Sequence, residues 1–517
     1  MTRTAGEKDR RGRRRRSSAA GGRSARVVNY NQLRNPFTLQ TVFSQDEVEA
    51  IHTEALSVLE ELGVKVLLPE ARALFRAAGA RIDDETEMVH IGREIVEAAL
   101  AKAPRSILCR AGAPARDVTL ELGNLAFLPG AGAPYATDHE RGRRTATGQD
   151  FLDLLKLTDH FDVLHMIPPL VEPQDVAPEL RHYFTMQGQL GLTDKLPFVF
   201  AWGTPQVTES FEMLRDFRGL SDDGLAAEPH CYTIINTNSP RQIDIPMAQG
   251  LIDFARYGQM SVVTPFTAMG AMAPITVAGA LTLGHAEALA AITLAQLAGP
   301  GAPVCYGTFT SNVDMKSGAP AFGTPEHFKA SLGAGQLARH LGLPWRCASG
   351  SAANVNDAQG AHETQFGLWG CLLAGATMVV HSAGWLEGGL TVSFEKLITD
   401  LEAVQMMAEL CAPTTAGEDD IARDALNAVP PGGHFFGSAH TMQRYQTEFY
   451  QPFVADFSNY GTWSERGALS ASERAVGIWK QIVEDHRAPK TADPGKLDGL
   501  RAYVAKRSAM GGAAPVS

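Results

Sequence analysis

Apolar runs of strand length, each opening into a polar glycine-rich loop and then into a stretch with helical spacing, repeat through the middle of the chain. The clearest examples lie between Pro303 and Glu402. Val304-Cys305-Tyr306-Gly307-Thr308-Phe309 predicts a strand that empties into the turn formers of Asp314 to Pro320. A helix follows from Thr324-Pro325-Glu326, where threonine caps, proline suits the first turn and glutamate suits the positive end of the dipole. It stops at Leu341-Gly342-Leu343-Pro344. Trp345 to Ala348 is the next strand, and a helix from about Asp357 to Gly375 leads to the strand Thr377 to His381, which opens into the Gly384 to Leu390 loop. Upstream, the same pattern places strands at Leu125 to Leu128, Asp162 to Ile167, Phe198 to Trp202, His230 to Asn236 and Ser261 to Thr264. Eight strands alternating with eight helices predict an α/β fold, a (β/α)8 TIM-type barrel, over residues 111–412.

The flanks differ in texture. Residues 27–110 read as a mostly helical lead-in, with a helix opening at Ser44-Gln45-Asp46-Glu47 and stopping at Glu61-Leu62-Gly63. Residues 413–488 form a C-terminal segment expected to pack on the barrel or on a second subunit. The concentration of nine aromatics in the 29 residues from Phe435 to Trp463 supports that reading. Residues 489–517 read as a loose tail. The ten Lys/Arg among residues 1–26, against Glu7 and Asp9, make a disordered tail of +8 and leave −19 for the rest of a chain whose net charge is −11. Such an acidic body disfavours nucleic acid as a partner. The uncharged stretch from Met260 to Gly284 is long enough to span a bilayer. Its prolines, glycines and hydroxyl residues predict a buried strand, loop and helix instead, so no membrane is expected.

Several chemistries lack their signatures. The six cysteines are scattered without a C-x-x-C pair, which favours free thiols in a reducing cytoplasm. There is no H-E-x-x-H, no G-x-S-x-G, no G-x-G-x-x-G and no Walker loop, and so no metal site is expected. No histidine follows an aspartate by two positions, so a corrinoid, if one is used, comes on another protein.

Candidate site residues gather in the loops after the strands. Tyr306, Phe309 and Asp314 follow the sixth strand; Trp345, Arg346 and Glu363 belong to the seventh unit; His381, Trp385, Glu387 and Lys396 belong to the eighth. Trp202 ends the third strand. For each aromatic taken alone, core packing is the simpler explanation, and for Asp314 a cap or loop salt bridge is as good as a functional role. Glu387, set beside glycines, is the hardest to explain structurally. His381, Glu387 and Asp314 are the catalytic candidates, and the others are candidates for binding substrate.

Longer motifs carry a resemblance. YGTFTSNVDMKSGAPAFGTPE, GQLARHLGLPWR and HSAGWLEGGLTVSFEKLITDLE closely resemble the trimethylamine:corrinoid methyltransferase family, and the likeness extends over roughly residues 30 to 488. It implies a (β/α)8 barrel that moves a methyl group from a methylated amine to the Co(I) of a separate corrinoid protein, with no cofactor bound by this chain. The archaeal trimethylamine enzymes carry pyrrolysine in the barrel; this chain has standard residues throughout. That departure points to the non-pyrrolysine branch, which resembles glycine betaine methyltransferases. Implied partners are a corrinoid protein and a small methylated amine, in the cytoplasm, with a homo-oligomer expected. Two other readings stay open: a barrel methyltransferase or demethylase acting on a sulfonium or methoxy donor, and a methylamine-binding homologue without turnover.

Overall fold

Six of the apolar runs pair as parallel strands of one sheet. In a computed structural model describing residues 29–516, Asn124–Phe127, Met378–Val380, Trp345–Ala348, Val304–Gly307, Met260–Val263 and Tyr232–Ile235 lie side by side in that order. Leu33–Arg34 adds an antiparallel strand beside Asn124–Phe127. The runs at 162–167 and 198–202, expected as full strands, make only single parallel bridges: Phe127 to Leu164, Met166 to Leu196 and Phe198 to Tyr232. Proline is the physical reason, because Pro168, Pro169 and Pro197 offer no N–H to a ladder. The basic tail expected over residues 1–26 lies outside the described residues.

Helices follow each of these positions: Gly148–His160, Arg181–Leu192, Thr204–Arg218, Ile245–Arg256, Val277–Ala298, Pro325–Leu341, Ala358–Ala374 and Phe394–Leu410. Their ends follow local chemistry. Thr324 accepts the His327 N–H, Pro325 occupies the first turn, and Gly342 closes the helix in the left-handed region at φ 67°. Val277–Ala298 is long and apolar enough to cross a membrane by composition. Here it is a core helix, buried along most of its length and packed against Ile245–Arg256, Gln45–Ser57 and Arg93–Lys102.

Side chains alternate across the sheet and make two cores. One lies between the sheet and the helices and takes Phe127, Val304, Tyr306, Trp345, Cys347 and Val379. The other, on the inner face, takes Ala126, Met166, Leu196, Phe198, Tyr232, Met260, Val262, Cys305, Met378 and Val380. The hairpin of Ser106–Cys109 and Val118–Glu121 contributes to this inner core.

Stretches read from sequence as loops are partly ordered as further strands. Phe266–Met269 pairs with Phe309–Val313, which pairs with Pro320–Ala321; Trp385–Leu386 pairs with Thr391–Ser393, which runs beside Tyr135–Thr137. The lead-in holds the expected helices Gln45–Ser57, Pro69–Ala77 and Arg93–Lys102, together with the strands Val64–Val66, Arg81–Asp83 and Met88–His90, which join Gln242–Ile243 in a sheet that the apolar pattern did not reveal. Residues 489–517, expected to be loose, contain the helix Pro494–Ala509. Residues 29–413 and 452–516 belong to one compact unit. Within it Glu402 accepts the N–H groups of Phe453, Val454 and Ala455, and Ala471–Asp485 packs on Phe394–Leu410. Residues 414–451 belong to a second unit and contain the short helices Glu418–Ile421, Arg423–Ala428 and Ala439–Arg444.

Buried histidines, His165 and His327 among them, are expected to make the fold acid-sensitive. His165 Nε2 donates to the Tyr30 carbonyl while Nδ1 accepts the Phe127 N–H, and His327 Nδ1 accepts the Gly323 N–H. Burial pushes each to about 4. The unfolded chain therefore binds more protons between pH ~6.5 and ~4, and stability, full above that window, falls as pH drops through it. Each histidine should contribute a slope of up to about 1.4 kcal/mol per pH unit. Urea midpoints at pH 7 and pH 5 test this: the lower value is expected at pH 5, with His165→Gln flattening the dependence, and equal midpoints would contradict it.

Candidate active site

Trp345–Ala348 sends Trp345 and Cys347 toward the helices and Arg346 to the inner face. Arg346 is only 1% exposed. Its Nη1 donates to the Thr308 carbonyl at 3.2 Å, its Nη2 donates to His381 Nε2 at 3.0 Å, and its Cζ lies 4.9 Å from the Phe309 ring centroid. None of these partners carries negative charge, and no carboxylate pairs with Arg346 among the described residues. Burial lowers its pKa to about 10, which still leaves the guanidinium charged at neutral pH.

Arginine has donors only, so its bond to His381 Nε2 makes that nitrogen an acceptor and places the imidazole hydrogen on Nδ1. Burial, and then the Arg346 charge, push the His381 pKa well below its ordinary value, and the ring is neutral. His381 follows Met378–Val380 with φ 58°, a left-handed conformation uncommon outside glycine. Its ring stacks on Trp385 at 3.5 Å between centroids and 7° between planes. Arg346 Nε, His381 Nδ1 and Trp385 Nε1 are three buried donors without a hydrogen-bond partner among the described residues. A buried unsatisfied donor costs about 1–3 kcal/mol, so this cluster is poised for an acceptor. With one positive charge added, it fits a carboxylate.

Aromatic faces adjoin the donors. Phe309 stacks on Phe322 at 5.3 Å, each lies 5.8 Å from Trp385, and Phe266 lies 4.9 Å from Phe309. Phe266 and Phe322 escaped the sequence reading, since an isolated phenylalanine in a glycine-rich or proline-rich loop has nothing local to distinguish it. Among the described residues no group of three or more His, Cys, Asp or Glu is placed to hold a metal ion.

Other candidates lie elsewhere. Tyr306 points into the helical layer, with its hydroxyl 3.0 Å from His285 Nδ1, and Trp345 donates its indole N–H to the Gly375 carbonyl at 2.8 Å. Both were expected near the substrate; the period of two along their strands turns them away. Asp314 is an exposed loop cap accepting the Lys316 and Ser317 N–H groups and the Ser317 hydroxyl. Glu363 clamps the N–H groups of Ala352 and Ala353. Lys396 is buried against the Gly360 carbonyl, Thr364 and Asp400, with Asp400 at 2.9 Å. Trp202, 43% exposed, borders a separate cavity of about 220 Å³ with Phe200, His182 and Glu172.

Glu387, the third catalytic candidate, is a latch. Its carboxylate accepts from Arg143 Nε at 2.8 and 3.0 Å, and that guanidinium lies 3.8 Å from the Tyr135 ring centroid. The backbone N–H groups of Glu387 and Gly388 donate to Ala353 and Ser351. Gly389, at φ 105°, passes so close to the Trp385 ring that a Cβ there would sit 2.7 Å from it. These contacts tie the Trp385 loop to the loop carrying Arg143. Arg143→Ala should raise amide hydrogen exchange in residues 384–390 by about two- to fivefold, the modest effect expected of a solvent-screened charged pair; unchanged exchange would remove the latch.

The comparisons with known proteins agree with one another. Glycine betaine methyltransferase of Desulfitobacterium hafniense (strain Y51) is 32% identical over 468 residues, 90% of this chain and 97% of that protein. Trimethylamine methyltransferase MttB of D. hafniense (strain DSM 10664 / DCB-2) is 30% identical over 86% of this chain and 89% of its own length. Trimethylamine methyltransferase MttB1 of Methanosarcina mazei is 29% identical over 90% and 94%. The family described as trimethylamine methyltransferase (MTTB) matches residues 9–512, and the chain belongs to that family.

Proposed function

We propose that this chain is a (β/α)8-barrel methyltransferase that moves a methyl group from a carboxylate-bearing quaternary amine, a betaine, to the Co(I) of a separate corrinoid protein. Barrel closure is supported by the eight strand positions, each followed by a helix, and by an inner core that draws residues from nearly all of them. Family membership supports methyl transfer from a methylated amine. The observation that carries the choice of substrate is the contact chain Arg346–His381–Trp385, in which Arg346 Nε, His381 Nδ1 and Trp385 Nε1 are buried donors without a partner among the described residues, beside a cluster of aromatic rings.

The chemistry agrees with that arrangement. A quaternary ammonium releases a neutral tertiary amine when Co(I) attacks its methyl carbon, so no acid has to protonate the leaving group. The cluster offers none: His381 is neutral and poorly basic, and Glu387 is held by Arg143. Aromatic faces attract the cation by about 0.5–2 kcal/mol. A carboxylate against the cation would stabilise it more before transfer than at the transition state, where its charge is falling. The chain's contribution is to hold the methyl group in line for attack. Free thiols at all six cysteines fit a reducing compartment.

The test is a substrate screen with purified protein and a corrinoid protein reduced to Co(I), read by the spectral change to methyl-Co(III). Betaines should be methyl donors, choline-like amines weaker ones, and trimethylamine inactive. Comparable turnover of trimethylamine would overturn the quaternary-amine reading. A preference for a carboxylate-bearing sulfonium would keep the carboxylate site and change the donor.

A further inference from the structure

At the opposite ends of the strands from Arg346 lies a second cavity, of about 310 Å³, bounded by the segments that lead into Phe198 and Tyr232, by the end of the Thr204–Arg218 helix and by the start of Pro494–Ala509. We propose that it binds a small organic anion through Arg218 and Lys496. This proposal is independent of the betaine reading.

Arg218 donates to the Arg110 and His230 carbonyls at 2.7 and 3.3 Å and to His230 Nδ1 at 3.1 Å, and all three bonds use Nη1. Nε and Nη2 make no hydrogen bond within the protein among the described residues, which leaves one edge of the guanidinium fork for a ligand. None of the three acceptors is an anion. Burial, then the Arg218 charge, push His230 to about 4, so its ring is neutral. Burial lowers Arg218 to about 10, which keeps it charged at neutral pH. Arg110 beside it is already neutralised by Asp117 and Glu228, each at 2.8 Å.

A second cation faces the same space. Lys496 lies 5.7 Å from the Phe217 ring centroid, with Asp493 no nearer than 4.0 Å. Lys195 also lines the cavity, but its Nζ is turned to the Thr158 and Phe161 carbonyls and burial lowers its pKa to about 7, so it adds little charge there. The positive charge in the cavity therefore exceeds what its own carboxylates offset. Leu190, Phe217 and Leu220 supply an apolar wall. A charged fork beside an apolar wall suits an anion with a short carbon body, whether its head is a carboxylate or a phosphate.

Isothermal titration of the full chain at constant ionic strength, with butyrate and with inorganic phosphate as separate probes, tests the site. Saturable binding with Kd below about 1 mM is expected for at least one of them, and the stronger probe identifies the head group. Arg218→Gln and Lys496→Gln should each weaken it by about tenfold or more, while Arg346→Gln leaves it unchanged. Should Arg218→Gln fail to fold, Lys496→Gln on the cavity rim decides. No saturation up to about 10 mM, an unaltered Kd in the variants, or loss of binding in Arg346→Gln would each overturn the proposal.

Discussion

Arg346→Gln is expected to lower kcat/KM for a betaine by about 100-fold or more and to leave a choline-like amine unchanged or improved. The asymmetry follows from burial. Among the described residues Arg346 is enclosed with no carboxylate beside it and Nε without a partner, so a ligand carboxylate would complete a charge-assisted pair in a buried place. Removing one partner of such a pair costs about 2–5 kcal/mol, and 1.4 kcal/mol is a factor of ten. A choline-like amine brings no anion. It meets the guanidinium as like charge, so neutralising that position should not harm it. Arg346→Lys should recover part of the betaine activity, because charge returns without the planar fork. Activity toward both substrates falling together would show that Arg346 serves the fold through Thr308 and His381, not the ligand.

Trp385→Ala is expected to raise KM about tenfold or more for betaine and choline-like amines alike. The ring presents a face to the cluster of Phe309 and Phe322 and covers His381, and its loss removes both a cation-binding surface and a barrier to water. Trp385→Phe separates the two contributions. It keeps an aromatic face and deletes the unpartnered Nε1 donor, so betaine should lose about 1.5–3 kcal/mol of binding while choline-like amines lose little. Equal losses with both substrates would mean that the indole N–H has no part in carboxylate recognition. Because Gly384 and Gly388 adopt positive φ on either side of it, the loop already contains positions at which backbone rotation is cheap.

The candidate residues were partly visible in the chain. Arg346 stands out as a charge inside an apolar run, and its position also fixes the parity of that strand: Trp345 and Cys347, on either side, must face the helices. Reading the run as a site without applying the parity is what placed Trp345 wrongly. Tyr306 fails for a related reason. When both faces of a strand are buried, apolar residues occupy every position and no alternation marks which face is inner. Lys396 and Glu363 look chemically available in one dimension. Their partners, Asp400 and Thr364 in one case and the Ser351 hydroxyl with the Ala352 and Ala353 N–H groups in the other, show otherwise.

The succession of strand, loop and helix was written in local chemistry: capping residues, glycine stops and apolar runs act over a few positions, and they place Pro325–Leu341 or Val277–Ala298 without reference to the rest of the molecule. The same locality marked the segments after the strands as the place for polar and aromatic residues. What no local signal contains is convergence. That Arg346, His381 and Trp385 leave three donors unanswered in one place depends on strands far apart in sequence lying side by side, and on a left-handed residue turning the chain at His381. Hydrogen bonds left unmade, like the pairing that makes Glu387 a latch, are properties of who else is within about 3 Å, and only the folded chain decides that.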